Sequence, residues 1–389
     1  MNYLLSNHDW SHPVPIAYGP GRLAEIGKRC VALDMKNPLI VTDKDSRELP
    51  FILRTQSSLE RQGVGSQVFS DISPNPRDHE IRSAKDIYLK GNHDGVIAIG
   101  GGSGMDGGKA TCLTVNNDID LWYFNYDAPL AKVGASDTFP PLICVPTTSG
   151  TGAETESTAM ITDTQRGMKL CVWHPALKPS LALLDPELTL ALPAHLTAWT
   201  GIDALVHAME AYCVPGFHPQ CDGTALEAIK LISRWLRIAV ADPNNLEARG
   251  GMQVGACLGG IAFLKGLGLV HAISHMVGAD YDTHHGLTNA VVLPAVTRFN
   301  APMLTEKLAP MTAALGLEGD GYEDFYRALC TLLDELDIPR TLADLGVPLS
   351  AAPELARKVH RDAAAATNAR PVSVADIEAV IEEAIVNGR

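Results

Sequence analysis

GVIAIGGGSGMDGGK, residues 95–109, decides the fold. Its first six residues form a short run rich in Ile and Val and ended by glycine, which reads as a buried strand. Glycines and Ser103 make a turn, and a helix opens behind them. Bare glycines let backbone amides approach a phosphate, and a helix amino end adds its partial positive charge. The stretch is not the Rossmann GxGxxG. It also fails as a P-loop, because Ser103 stands where the first glycine belongs and Ala110 where Ser or Thr would bind magnesium. Nucleoside triphosphate hydrolysis is thereby disfavoured. The simpler alternative is a turn whose glycines only let the helix lie close on the sheet.

A second turn, VPTTSGTGAE (145–154), also follows a strand and offers hydroxyls at Thr147, Thr148 and Thr151 between small residues. Two phosphate-competent turns at neighbouring strand ends suit a dinucleotide better than a lone phosphate. PLIVTD (38–43), PLICVPTT (141–148) and SLALLD (180–185) are further strand-like runs, and residues 51–62 and 77–90 have helical periodicity. Strand and helix in alternation predict a parallel sheet covered on both faces, with ligands at the carboxyl ends of its strands. Asp43 ends one such strand, where a carboxylate accepts hydrogen bonds from an adenosine ribose and repels a 2′-phosphate. That predicts NAD over NADP, against the alternative of a turn-capping Asp.

Beyond Pro193 the strand-like runs stop. Residues 227–240, 246–263, 302–315, 323–336 and 374–386 carry apolar residues at three- and four-residue spacing, so the second half reads as all-helical. The expected architecture is α/β plus all-α: a dinucleotide-binding domain over 1–192 and a helical, metal-binding domain over 193–389. A chain of 389 residues suits two such units. With 46% hydrophobic and 20% charged residues it is globular, and a net charge of −14 argues against nucleic-acid and anionic-membrane partners. Residues 1–10 lack the apolar centre of an export signal, and no run approaches a membrane span. Eight cysteines without a CxxC pair read as reduced core residues of a cytoplasmic protein.

TGIDALVHAMEAY (200–212) sets Asp203 and His207 four residues apart, on one helix face whose neighbours are apolar. Burying a carboxylate and an imidazole side by side is costly, and a metal would offset that cost. GLGLVHAISH (266–275) repeats the spacing with His271 and His275, and THHG (283–286) adds two more imidazoles. One Asp and three His from three segments make a four-coordinate site for a divalent first-row metal. The alternative is chance spacing in a chain with 13 histidines. No HExxH occurs, which leaves a zincin-type protease without support.

These segments together resemble the group III, iron-dependent alcohol dehydrogenase family. The resemblance runs along nearly the whole chain, through VTD, PNP, GGGSGMDGGK, PTTSGTGAE, DPELT, TGIDALVHAMEAY, GLGLVHAISH and HHGLTNAVVLP. It implies the fold shared with dehydroquinate synthase, with Fe2+ in the cleft between the lobes and Zn2+ as the alternative ion. The implied ligands are Asp203, His207, His271 and His285, which leaves His275 beside the nicotinamide as a catalytic proton-relay group. On the cofactor side the resemblance names Asp43, Asn75, Gly101, Gly102, Ser103, Asp106, Lys109, Thr147, Thr148, Thr151 and Lys169. The implied activity is hydride transfer between NAD(H) and a small alcohol or its aldehyde, with a hydroxy acid or semialdehyde as further candidates. An open-edged parallel sheet makes a homo-oligomer, a dimer or larger, the expected assembly.

The chain departs from the family pattern in several places. Ala153 replaces a common Ser, Glu156 stands among small residues where relatives carry Val, Pro or aromatics, and HHG replaces PHG. Lys265 lies six residues before His271 and invites two readings, an anchor for a carboxylated substrate or a solvated lysine at a helix end. The chief rival function is a lyase of the dehydroquinate synthase type. The form GIDALVHAMEAY and the scarcity of basic residues for a phosphorylated sugar weigh against it.

Overall fold

A computed structural model describes residues 14–134 and 138–389. Its first half builds β1 (Ile16–Tyr18), α1 (Ile26–Ala32), β2 (Leu39–Asp43), α2 (Pro50–Glu60), β3 (Gln67–Ile72), α3 (Asp78–Lys90), β4 (Val96–Gly100), α4 (Gly102–Val115) and β5 (Leu142–Pro146). β6 (Thr158–Asp163), β7 (Met168–Trp173) and β8 (Leu181–Leu184) follow. Six strands form one all-parallel sheet in the order β1-β8-β5-β4-β2-β3. The period of two sends Val96 and Ala98 of β4 to one face, under α3 and α4. It sends Ile97 and Ile99 to the other, under α1 and α2. Both faces are buried, which is why these strands read as unbroken apolar runs.

β6 and β7 form a separate antiparallel hairpin, which the sequence reading passed over together with β1 and β3. β1 has three residues, and β3, at the other sheet edge, sets exposed Gln67 and Asp71 among half-buried and buried positions, so neither shows a buried-strand run. The chain turns back between β3 and β4, making the crevice between β2 and β4 the topological switch point where such sheets hold ligands.

The second half consists of α5 (Ala194–Cys213), α6 (Pro219–Ala241), α7 (Leu246–Ala262), α8 (Leu269–Tyr281), α9 (His285–Asn300), α10 (Thr305–Leu315), α11 (Tyr322–Glu335), α12 (Ala352–Val359), α13 (Ala363–Ala366) and α14 (Val374–Val386). They share one apolar core. The last begins where expected because Ser373 and Asp376 form a reciprocal cap. Leu184 at the end of β8 meets Cys257 and Ile261 of α7, joining sheet to helices. Arg249, buried in α7, donates to the carbonyls of Leu192 and Pro243 and to Thr197 Oγ1, and so pins the crossing between the halves. Among the described residues no single helix is long and apolar enough to cross a membrane.

Candidate metal centre and dinucleotide crevice

Along α5, residues 203, 207 and 210 fall on one face at helical spacing, and all three side chains are buried. Asp203 Oδ1 lies 3.7 Å from His207 Nδ1, 3.6 Å from His271 Nε2 and 3.5 Å from His285 Nε2. Asp203, His207 and His271 each offer an atom within 4.8 Å of the others. His284 is turned elsewhere: it caps α9 through Nδ1, which accepts from Leu287 N, and its ring rests on Trp199.

The far nitrogens of the rings are held. His271 Nδ1 lies 2.6 Å from Glu210 Oε2, and that carboxylate also accepts from the amides of Gly268 and Val270 at the start of α8. His285 Nδ1 lies 2.9 Å from Ser274 Oγ. Asn289 Nδ2 donates to Asp203 Oδ1 at 2.7 Å and stands 3.3 Å from both His271 Nε2 and His285 Nε2. Asp203 Oδ1, His285 Nε2 and, in the neutral ring that a cation would require, His271 Nε2 thus converge where a single amide nitrogen has too few hydrogens to serve them all. His207 Nδ1 and Asn289 Oδ1 are buried without a hydrogen-bond partner.

Burial pushes His207 down to about 3 and His285 well below the usual imidazole range, so both rings present lone pairs. Burial also opposes protonation of His271, but Asp203 and Glu210 outweigh it and lift that ring to about 9. Desolvation would raise the carboxyl of Asp203; the surrounding imidazoles overcome it and hold it ionised. Two ligand atoms about 2.1 Å from a shared ion in tetrahedral array stand about 3.4 Å apart, close to the spacings around Asp203. The donor set, its spacing and its unpartnered nitrogen fit a divalent cation.

His275, four residues after His271, points to a different partner: its Nδ1 lies 2.9 Å from Asp362 Oδ2, and its ring stacks on His285 at 5.4 Å between centroids. Glu210, Ser274, Asn289 and Asp362 escaped the sequence reading. The first three stand three, four or seven residues from a candidate ligand on the same helix and were open to the spacing argument. Asp362 is 87 residues from His275, with nothing local to mark it.

The two turns meet at the carboxyl ends of β4 and β5, beside the switch point. Gly100 pairs with Pro146, and Thr147 N donates to Gly100 O. Gly101 heads α4 without a side-chain cap, leaving the first amides of the helix for a ligand. A Cβ on Gly102 would stand 2.7 Å from Thr151, and one on Gly101 3.6 Å from Thr148. Ser103 follows inside the first turn of α4. Gly107 and Gly108 serve the simpler purpose, since a Cβ on Gly108 would lie 2.4 Å from that of Ala98. Phosphate approach and close packing therefore divide the glycines of one motif between them. Thr42 Oγ1 and Ser149 Oγ, beside these turns, are buried without partners, so the crevice fits a polar ligand.

Asp43 caps its own turn by accepting from Ser46 N and Oγ, and its Oδ2 abuts Gly100 and Gly104. Asp106 and Lys109 face inward. Lys109 Nζ lies 3.1 Å from Asp106 Oδ1 and donates to Ala153 O, while Asp106 Oδ2 accepts from Met160 N. They fasten the second turn and the hairpin to α4. Lys169, whose ammonium is destabilised by burial, donates to Asn75 Oδ1, and Asn75 Nδ2 donates to Asp282 Oδ1 at the end of α8, crossing between the lobes. Of the two readings of Lys265 the structure removes the solvated one: its side chain is 4% exposed, and its Nζ sits 2.6 Å from Asp222 Oδ1. That ammonium is already paired, which removes the basis for a free carboxylate anchor.

A parallel sheet with an uncapped helix at its switch point, facing a cluster of one carboxylate and three imidazoles, defines a metal-dependent oxidoreductase of the dinucleotide-binding type. Family models agree along the chain: iron-containing alcohol dehydrogenase matches residues 13–186, and the C-terminal part of the same family matches 197–385. The chain is 35% identical over 376 residues to the 1,3-propanediol dehydrogenase of Citrobacter freundii, covering 94% of this chain and 96% of that one. It is 34% identical over 380 residues to the NAD-dependent methanol dehydrogenase of Bacillus methanolicus, covering 96% and 98%. A crystal structure of 1,3-propanediol oxidoreductase superposes with a TM-score of 0.93 at 34% identity, covering 98% of this chain and all of that one. The protein belongs to the iron-containing alcohol dehydrogenase family and is an alcohol dehydrogenase, which decides against the lyase alternative.

Proposed function

We propose that the protein oxidises small primary alcohols to aldehydes, or runs the reverse reduction, with NAD(H) as hydride partner and Fe2+ at the Asp203, His207, His271 and His285 cluster. One observation carries this reading: a single carboxylate oxygen stands 3.5–3.7 Å from three imidazole nitrogens. Zn2+ suits the same donors, since both ions accept nitrogen and oxygen ligands. When bound, the cation supplies Lewis acidity toward the alcohol oxygen and NAD supplies the hydride acceptor.

The chain's own residues do the rest. Glu210 and Ser274 fix the ring orientations of His271 and His285. Asp362 holds Nδ1 of His275 and leaves Nε2 to take up the proton that an alcohol loses. Asp43, Gly101, Gly102, Ser103, Thr147, Thr148 and Thr151 line the crevice for the adenosine and phosphate portion. Asn75 and Lys169 serve its nicotinamide end, while Asp106 and Lys109 brace the turns. We also assign folding units over 1–192 and 193–389, a homo-oligomer, and the cytoplasm, where eight unpaired thiols stay reduced.

Anaerobic reconstitution with Fe2+ or Zn2+, followed by NADH formation with short alcohols, diols and hydroxy acids, tests the reading. Stoichiometric metal and metal-dependent NADH formation are expected. A protein that binds neither ion, or makes no NADH with any of these alcohols, overturns it.

A further inference from the structure

The lobes touch in two different ways. The contacts of Leu184 with Cys257 and Ile261, and of Arg249 with Thr197, are buried. Asn75 and Asp282 also cross between the lobes, but through an exposed hydrogen bond of 2.9 Å. Such a bond adds little to folding, because water competes for both partners. Asp282 ends α8 with φ +53° and ψ +33°, a left-handed conformation that favours glycine. The protein therefore keeps a carboxylate where glycine would fold at least as well, which points to a use other than stability.

Backbone pairing explains where Asn75 stands. It lies between Pro74 and Pro76 with φ +58°. Pro76 O accepts from Thr162 N of β6, and Thr162 stands opposite Lys169 of β7. The amide of Asn75 is thereby brought to Lys169, and its Oδ1 accepts from Nζ at 3.1 Å. Among the described residues that ammonium has no other acceptor, and burial works against its charge. An ammonium offers only hydrogens and a carboxylate only lone pairs. The amide between them satisfies both in one direction, oxygen toward Lys169 and nitrogen toward Asp282. Asn75 and Lys169 belong to the first lobe, whereas Asp282 comes from the second, at the end of the helix that bears His271 and His275.

We propose that Asp282 is a positioning residue for the dinucleotide: its carboxylate holds the Asn75 amide, and through it the Lys169 ammonium, in place for the nicotinamide end of NAD(H). The proposal rests on the reading in which Asn75 and Lys169 serve that end, and extends it to a residue of the opposite lobe. One hydrogen of Asn75 Nδ2 goes to Asp282, and the second is left for a ligand. Removing the carboxylate frees the amide to turn about its side-chain bonds, and ordering it again on binding weakens the complex. The grip is complete only while the lobes stand together, so the lobe that carries the imidazole cluster takes part in holding a cofactor seated on the other.

The test measures the Kd of NADH, by nicotinamide fluorescence, and of ADP-ribose, by calorimetry, on the metal-loaded protein. It compares the parent with Asp282→Gly, Asp282→Asn, Asn75→Gly and the Asn75→Gly, Asp282→Gly double variant. Glycine keeps the left-handed backbone at both positions, so only the side chain is removed. Asp282→Gly weakens NADH about 5- to 10-fold, the effect of losing one hydrogen bond to a charged acceptor. Asp282→Asn, whose carbonyl still accepts, keeps most of the affinity. Adding Asp282→Gly to Asn75→Gly changes nothing further, because Asp282 acts through Asn75. ADP-ribose, which lacks the nicotinamide, binds the parent and Asp282→Gly alike, and Asp282→Gly melts no lower than the parent. An unchanged Kd for NADH in Asp282→Gly, or the same loss in both Asn75 backgrounds, overturns the proposal. An Asp282→Asn protein as weak as Asp282→Gly also overturns it. Equal weakening of ADP-ribose, or a lower melting temperature in Asp282→Gly, shows a structural role and counts against it. A parent that binds no NADH strikes instead at the dehydrogenase reading on which it rests.

Discussion

Nδ1 of His271 and Oε2 of Glu210 are 2.6 Å apart inside the helical lobe, and the same carboxylate accepts from two amides at the start of α8. Glu210 therefore fixes the ring that faces Asp203 and the helix that carries it. Glu210→Gln keeps the shape but reverses one hydrogen-bond direction. Metal affinity should fall about 10- to 100-fold, the usual effect of losing a partner behind a ligand. Metal retained during dialysis against graded chelator, read by elemental analysis, measures this. Unchanged retention would show that the pair serves packing alone.

Asp203 is where the three imidazoles meet. Asp203→Ala removes the only carboxylate of the cluster and leaves three buried rings facing one another. Stoichiometric metal should be lost, and kcat/KM should fall by a factor on the order of 10³ or more, an effect of several kcal/mol on the barrier. Metal content and steady-state rates on one preparation check both. Full metal with full turnover would remove Asp203 from the site.

How far the sequence foretold this depends on the range over which each residue acts. β2, β4, β5 and β8 were legible because strands buried on both faces must be apolar throughout. The β6–β7 hairpin was not, since only one of its faces is well buried and residues such as Thr162 and Lys169 break the pattern. The pairs Asp203–His207 and His271–His275 were visible from helical spacing. Spacing could not say that His271 turns toward Asp203 while His275 turns to Asp362, because that choice is made by a carboxylate 87 residues away. Lys265 was left between two readings for the same reason: its partner, Asp222, lies on another helix.

Burial lifts Glu154 to about 7 and Glu156 to about 8 from the ordinary 4.5. Raised carboxyl groups hold their protons longer in the folded chain than in the unfolded one. Their contribution is intact below about pH 4.5 and is lost as pH climbs through 7 and 8. The parent should therefore lose stability between pH 5 and pH 8 relative to the Glu154→Gln, Glu156→Gln double variant, by on the order of a few kcal/mol. Urea unfolding of both proteins at the two pH values gives the difference directly. Parallel pH dependence would mean that these carboxyls titrate normally.

Gly152 and Gly260 bring the second crevice turn against α7, backbone to backbone. A Cβ on Gly260 would lie 2.6 Å from Gly152 O and 2.8 Å from its Cα, neither of which yields as a flexible side chain would. Gly260→Ala must push the turn off the helix, at a cost of about 1–3 kcal/mol for overpacking. Gly152→Ala meets the same wall and adds a φ of +62°, which costs an L-residue about 1–2 kcal/mol more. Gly223, exposed in α6, has nothing within 4 Å of its would-be Cβ, so Ala there gains about 0.5–1 kcal/mol of helix stability. Melting temperatures should rank Gly223→Ala above the parent, then Gly260→Ala, then Gly152→Ala. The same turn carries the crevice threonines on one lobe and rests on the helix behind His207 in the other. The two lower variants should therefore also lose kcat/KM, by about 10-fold or more, as sub-ångström misplacement of reacting groups does. A Gly260→Ala protein as stable and as active as Gly223→Ala would show that the two lobes do not depend on this contact for their alignment.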